Sequence, residues 1–159
     1  MNRAYLLIGG NMGNREALLH TAASAIATRC GIICRQSAVY ETEAWGKEDQ
    51  PAFLNQVLEL DTGLEPEALL AAVLHIEQDM GRERLEQYGP RLMDIDILLY
   101  NDAIVHTPTL TIPHPHMAAR RFVLVPLAQL VPGLVHPIHH ISIQQMLEQC
   151  TDPLHVYKW

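Results

Sequence analysis

The chain has 159 residues, 48% of them apolar and 18% charged, a composition that excludes disorder and is long enough to bury a proper core. Eleven basic against eighteen acidic residues leave a net charge of −7, which argues against a basic face and so against a nucleic-acid partner. Three cysteines without a paired Cys-x-x-Cys pattern argue against a disulfide framework, and no apolar run is long enough for a signal peptide or a membrane span; the expectation is one soluble, cytoplasmic domain over residues 1–159.

Ala4 to Ile8 reads as a short strand ending at Gly9-Gly10-Asn11-Met12-Gly13-Asn14. That glycine spacing matches neither the dinucleotide fingerprint nor the Walker loop, so a tight turn is expected. Arg15 to Thr28 follows as an amphipathic helix, with Leu18, Leu19, Ala22 and Ile26 near helical spacing. A strand is expected around Ser37 to Glu41, then a polar loop from Glu43 to Ala52 in which Trp45 either caps a ligand or packs back. Phe53 to Asp61 resumes the strand pattern. Glu65-Pro66-Glu67 opens a helix with proline and acidic residues in its first turn, and Gly81 is expected to stop it after Met80.

The next stretch, GRERLEQYGPRLMDIDILLY from Gly81 to Tyr100, is the most informative. Leu92 to Tyr100 has the composition of a buried strand, yet Asp94 and Asp96 interrupt it. Side chains alternate across a strand, so both carboxylates share one face, about 7 Å apart from two rises of roughly 3.3 Å. Like charges on an apolar strand need neutralising, and carboxylate pairs suit Mg²⁺, which keeps further positions for substrate phosphates. Arg82, Arg84 and Arg91 lie just upstream and offer planar donors for phosphate oxygens. With Arg120 and Arg121 they make five of the eleven basic residues within forty positions, a local cationic pocket on an acidic body. Carboxylates for a metal beside arginines for an anion point to phosphoryl transfer. The bland alternative is an edge strand with a solvated face.

Asp102 to Thr111 reads as a hairpin or irregular connection, and Ile112-Pro113-His114-Pro115-His116 cannot be helix because two prolines remove donors. Helix is expected at Met117 to Ala119, across Val123 to Leu130, and from Ser142 to Gln149. His114, His116, His136, His139 and His140 have no spacing that unites them as a zinc or nickel site, and His114 near Arg120 and Arg121 reads better as a phosphate-contacting donor. Thr42 and Asn55, polar on otherwise apolar strands, would bond a heterocycle or each other. Strands and helices alternate without a strict βαβ rhythm, which favours a mixed sheet covered by helices.

With these pieces together, the sequence resembles the 6-hydroxymethyl-7,8-dihydropterin pyrophosphokinase family of the folate pathway from Tyr5 to about Gln149. The matches are Ile8-Gly9-Gly10-Asn11, Tyr40 to Asn55, Gly89-Pro90-Arg91-Leu92-Met93-Asp94-Ile95-Asp96-Ile97-Leu98, and Pro113-His114 followed by Arg120 and Phe122. The resemblance implies a monomeric α+β protein: a ferredoxin-like core, with a mixed, mainly antiparallel sheet and helices on both faces. It implies transfer of the terminal diphosphate of MgATP to the hydroxymethyl group of the reduced pterin, leaving AMP. By the same resemblance, two Mg²⁺ ions sit on Asp94 and Asp96, which act with Arg82 and Arg91 as the catalytic set. Glu77, Arg82, Arg84, Arg91, Thr111, His114 and Arg120 would serve the nucleotide. Thr42, Phe53, Asn55, Tyr88 and Phe122 would serve the pterin. Departures from the family pattern are Tyr88 for a common tryptophan, Gln87, Leu85 and Thr109 for basic residues, and Glu43-Ala44 for a proline-containing stretch. A catalytically silent pterin- or nucleotide-binding module of the same fold is the alternative.

Overall fold

The computed structural model describes residues 1–43, 51–82 and 92–159, with the backbone alone at Arg82. The elements run β1 (Asn2–Gly10), α1 (Arg15–Arg29), β2 (Ile32–Gln36), β3 (Tyr40–Thr42), β4 (Phe53–Thr62), α2 (Pro66–Arg82), β5 (Asp94–Tyr100), β6 (Val105–His106), β7 (Thr111–Ile112), a 3₁₀ turn at Met117–Ala119, α3 (Arg121–Leu130), α4 (Ile143–Gln149) and β8 (Val156–Lys158). The main sheet has the order β5-β1-β4-β3-β8, with β2 also on β4, and each of its described pairs is antiparallel. Strand, helix, split strand, strand, helix, strand, with the last beside the first, is the expected ferredoxin-like arrangement.

Alternation divides the core into two layers. Ala4, Leu6 and Ile8 of β1 with Leu54, Leu58 and Leu60 of β4 pack on Leu19, Ala22 and Ile26 of α1 and Leu69, Val73 and Ile76 of α2. Tyr5, Leu7 and Val57 point the other way, onto Val123, Leu124 and Leu127 of α3 and Ile143 and Met146 of α4. Each fully buried leucine of these layers contributes roughly 1.5–3 kcal/mol of transfer free energy.

Three local expectations change. The strand expected at Ser37 to Glu41 is mostly the break between two strands, β2 ending at Gln36 and β3 starting at Tyr40, because Ser37 leaves the ladder: its N–H donates to Val57 O (2.9 Å) and its hydroxyl accepts from Val57 N (2.9 Å). Gly81 does not stop α2, which continues through Arg82. A final strand, β8, was not expected; it is held by pairing to β3, a long-range contact without a local signal. The turn after β1 stands, with Gly13 at φ +65° and the Asn14 side chain accepting from Ala17 N (3.1 Å) as N-cap of α1.

Candidate active site

Asp94 and Asp96 lie on β5, an edge strand, and both are half-buried while the alternating Ile95 and Ile97 are buried in the core of α1 and α2. The two carboxylates therefore share the face that also carries Leu7 and Tyr5. The edge leaves Ile95 N without a ladder partner on its outer side, and the Glu77 carboxylate of α2 accepts it at 2.7 Å. Glu77 thus ties α2 to the strand that bears the aspartates.

Register explains why a cavity opens there. Gly9 pairs with Asp94 on one side and Asn55 on the other, so one row across three strands reads Asp94, Gly9, Asn55. A Cβ on Gly9 would collide with Asn55 Oδ1, so the missing side chain is what lets Asn55 project over the strand. The resulting cavity of about 230 Å³ is floored by Leu7, Gly9, Asn55, Asp94 and Asp96. Phe53, Thr42 and Glu43 wall it on one side, and Arg120, Phe122 and Leu154 on the other. Asn55 and Thr42 are 5% and 3% exposed, and Thr42 Oγ1 has no hydrogen-bond partner among the described residues, so the pair is not bonded to each other through that oxygen. The Arg120 guanidinium lies over Phe122, 5.7 Å from the ring centre.

A second, more polar cavity of about 330 Å³ lies across β5 from the first. Glu77, Thr111, His114 and Thr109 line it, and so does Asp96, which faces both cavities. His114 is placed by the β7-to-3₁₀ connection, its N–H donating to Leu98 O (2.9 Å). Its Nδ1 accepts from His116 N (3.2 Å), which leaves the ring proton of the neutral form on Nε2. Burial pushes its pKa below the ordinary histidine value, with Asp96 opposing and Arg120 and His116 reinforcing the shift.

The structure thus brings together Thr42, Phe53, Asn55, Asp94, Asp96, Arg120 and Phe122 at one cavity and Glu77, Asp96, Thr111 and His114 at its neighbour. Arg120 lines the aromatic cavity and not the polar one. Arg84, Tyr88 and Arg91, the side chain of Arg82, Trp45, and the departures at Leu85 and Gln87 lie outside the described residues. Arg121 is not part of the expected cationic pocket: its Nε and Nη2 donate to Asp152 O (3.1 Å) and Cys150 O (3.1 Å). His136 is buried, and its Nδ1 accepts from Ile138 N and His139 N, a turn-capping role without any tie to His114. Leu154 escaped sequence reasoning, since it precedes a strand that only tertiary pairing defines.

The model of the 7,8-dihydro-6-hydroxymethylpterin-pyrophosphokinase family matches residues 5–132. The chain belongs to this family. A 2-amino-4-hydroxy-6-hydroxymethyldihydropteridine pyrophosphokinase of Methylorubrum extorquens is 45% identical over 136 residues, 85% of this chain and 86% of the relative. The folic acid synthesis protein fol1 of Schizosaccharomyces pombe is 43% identical over 147 residues, 92% of this chain but only 20% of that protein. Among solved structures, a Plasmodium falciparum HPPK-DHPS superposes with a TM-score of 0.76 at 18% identity, covering 94% of this chain and 43% of that one. The chain therefore spans less than half of these two longer proteins and most of the Methylorubrum pyrophosphokinase. The antiparallel sheet with helices on both faces is shared with those structures.

Proposed function

We propose that this chain transfers the terminal diphosphate of MgATP to the hydroxymethyl group of 6-hydroxymethyl-7,8-dihydropterin, releasing AMP, as a step of folate biosynthesis. The observation that carries the reading is Asp96, which faces an aromatic cavity sized for a bicyclic heterocycle on one side and a polar cavity on the other. A hydroxyl bound in the first and a triphosphate in the second would meet at that carboxylate.

Phe53 and Phe122 supply ring faces for stacking, while Thr42 Oγ1 and Asn55 supply hydrogen bonds to the polar edge of the pterin. His114 Nε2–H is a neutral donor for a phosphate oxygen, and Arg120 adds fixed positive charge at the aromatic side. Arg82, Arg84 and Arg91 are proposed for the phosphates, Arg82 and Arg91 as catalytic groups, and Tyr88 for the pterin, on the strength of the sequence motif. The donor set fits a hard cation: Asp94 and Asp96 present two carboxylates on one face of β5. Bound Mg²⁺, two ions in this reading, would align the phosphates and lower the pKa of the attacking hydroxyl. The protein's own part is positioning and charge, which is most of what this reaction class requires.

The same reading makes residues 1–159 one catalytic domain, acting as a monomer in the cytoplasm. No described helix is long and apolar enough to cross a membrane. The test is to incubate the pure protein with MgATP and the pterin alcohol and separate the nucleotides. AMP with pterin diphosphate supports the proposal; ADP would mean transfer of a single phosphoryl group, and pterin binding without product would mean a silent module.

A further inference from the structure

Residues 150–159 lie beyond the stretch matched by the family model, yet they complete a wall of the aromatic cavity. Arg121 seizes the start of this segment: its N–H donates to Asp152 Oδ2 (3.0 Å), which caps the open N-terminus of α3, and its guanidinium holds two carbonyls. Leu154 then lines the cavity together with Arg120 and Phe122. β8 pairs with β3 so that Val156 lies opposite Thr42, and Trp159 N–H donates to Val39 O (2.8 Å).

At the far end of this strap stands Arg15, the first residue of α1. Its Nη1 donates to Glu41 Oε2 (2.7 Å) and to Ala52 O (2.8 Å), and its guanidinium lies 5.0 Å from the ring centre of Trp159. Asn11 Nδ2 adds a bond to Pro51 O (3.2 Å). Glu41 precedes Thr42, and Ala52 precedes Phe53, so one guanidinium holds the side chain of the residue before Thr42 and the backbone carbonyl of the residue before Phe53. Trp159 is 56% exposed and contributes little by burial, and its ring serves as a cover over the guanidinium.

We propose that Arg15 and Trp159 form a clamp that positions Thr42 and Phe53 for the pterin, making them positioning residues for that substrate and not for the nucleotide. This rests on the function proposed above, although the clamp itself does not. None of the described residues that line the polar cavity belongs to β3, β8 or the start of β4, so a loosened clamp acts on one substrate only.

The test uses Trp159→Ala, Trp159→Phe, Arg15→Ala and the parent, with pterin and MgATP varied separately and amide exchange followed over residues 40–42. The alanine variants are expected to raise the pterin KM by about five- to thirtyfold, the range set by one or two weakened contacts, and to change the MgATP KM by less than about twofold. Trp159→Phe, which keeps a ring over the guanidinium, should recover most of the pterin KM. Exchange at residues 40–42 should accelerate in the alanine variants while that of α4 stays parental. An unchanged pterin KM, or equal increases in both KM values, overturns the proposal. If the parent forms no AMP, the functional reading fails by itself and exchange alone decides the clamp: parental exchange in both alanine variants overturns it, and local acceleration supports it.

Discussion

Thr42→Val is the substitution for which stability and substrate binding should move in opposite directions. Thr42 is 3% exposed, and its Oγ1 is buried without a hydrogen-bond partner among the described residues. An unsatisfied buried hydroxyl costs about 1–3 kcal/mol, and valine replaces it with a methyl group of similar shape that suits a strand equally well. Taking about 2 kcal/mol, and about 2–4 °C per kcal/mol for a protein of this size, the ligand-free Tm should rise by roughly 4–8 °C. If the hydroxyl is kept for the pterin, the same change removes its bond in the complex, and about 2 kcal/mol of lost interaction weakens pterin binding by roughly thirtyfold. Differential scanning calorimetry of the free protein and titration calorimetry with the pterin, at saturating MgATP analogue, measure the two effects. A valine variant that is less stable than the parent and binds pterin equally well would refute the reasoning, because it would mean that the hydroxyl is satisfied inside the protein.

Asp96→Ala should lower the rate of AMP formation by about a thousandfold or more, several kcal/mol of barrier, and a variant with near-parental turnover would remove Asp96 from the reaction. Glu77→Ala should cost about 1–2 kcal/mol in urea unfolding and expose the Ile95 amide to exchange, with Glu77→Gln largely restoring both; parental stability in the alanine variant would show that the bond of 2.7 Å contributes nothing. The buried His136 has its pKa pushed down from 6.5 to about 4, first by burial and then by His139 and His140. Between those values the unfolded chain binds a proton that the native one does not, so stability is full above pH 6.5 and falls as the pH drops toward about 4. The gap corresponds to about 3 kcal/mol. His136→Asn, which keeps an acceptor for Ile138 N and His139 N, should flatten that slope in denaturation curves taken from pH 7 to 4; an unchanged slope would assign the acid loss elsewhere.

Alternation along a strand depends only on covalent geometry, so the shared face of Asp94 and Asp96 was legible in seven residues, as were the helix α1 with its buried Leu19, Ala22 and Ile26 and the proline-led start of α2. The break at Ser37 was not, because its competing partner, Val57, is twenty residues away. Arg121 looked like an anion-binding arginine because local sequence shows charge and not the Asp152 that arrives from another segment. Gly81 resembled a helix stop, but a glycine without a steric conflict can also continue the helix, and nothing lies within 4 Å of where its Cβ would be.

The family signature, the carboxylate pair, helices α1 and α2 and strands β1, β4 and β5 are local properties of the chain, and the sequence was sufficient for them. The row Asp94–Gly9–Asn55, the two cavities that meet at Asp96 and the strap that brings Leu154 and Trp159 to β3 depend on which strands become neighbours. That choice is made by the burial of both sheet faces at once, a sum over contacts distant in the chain, and only the folded molecule expresses it.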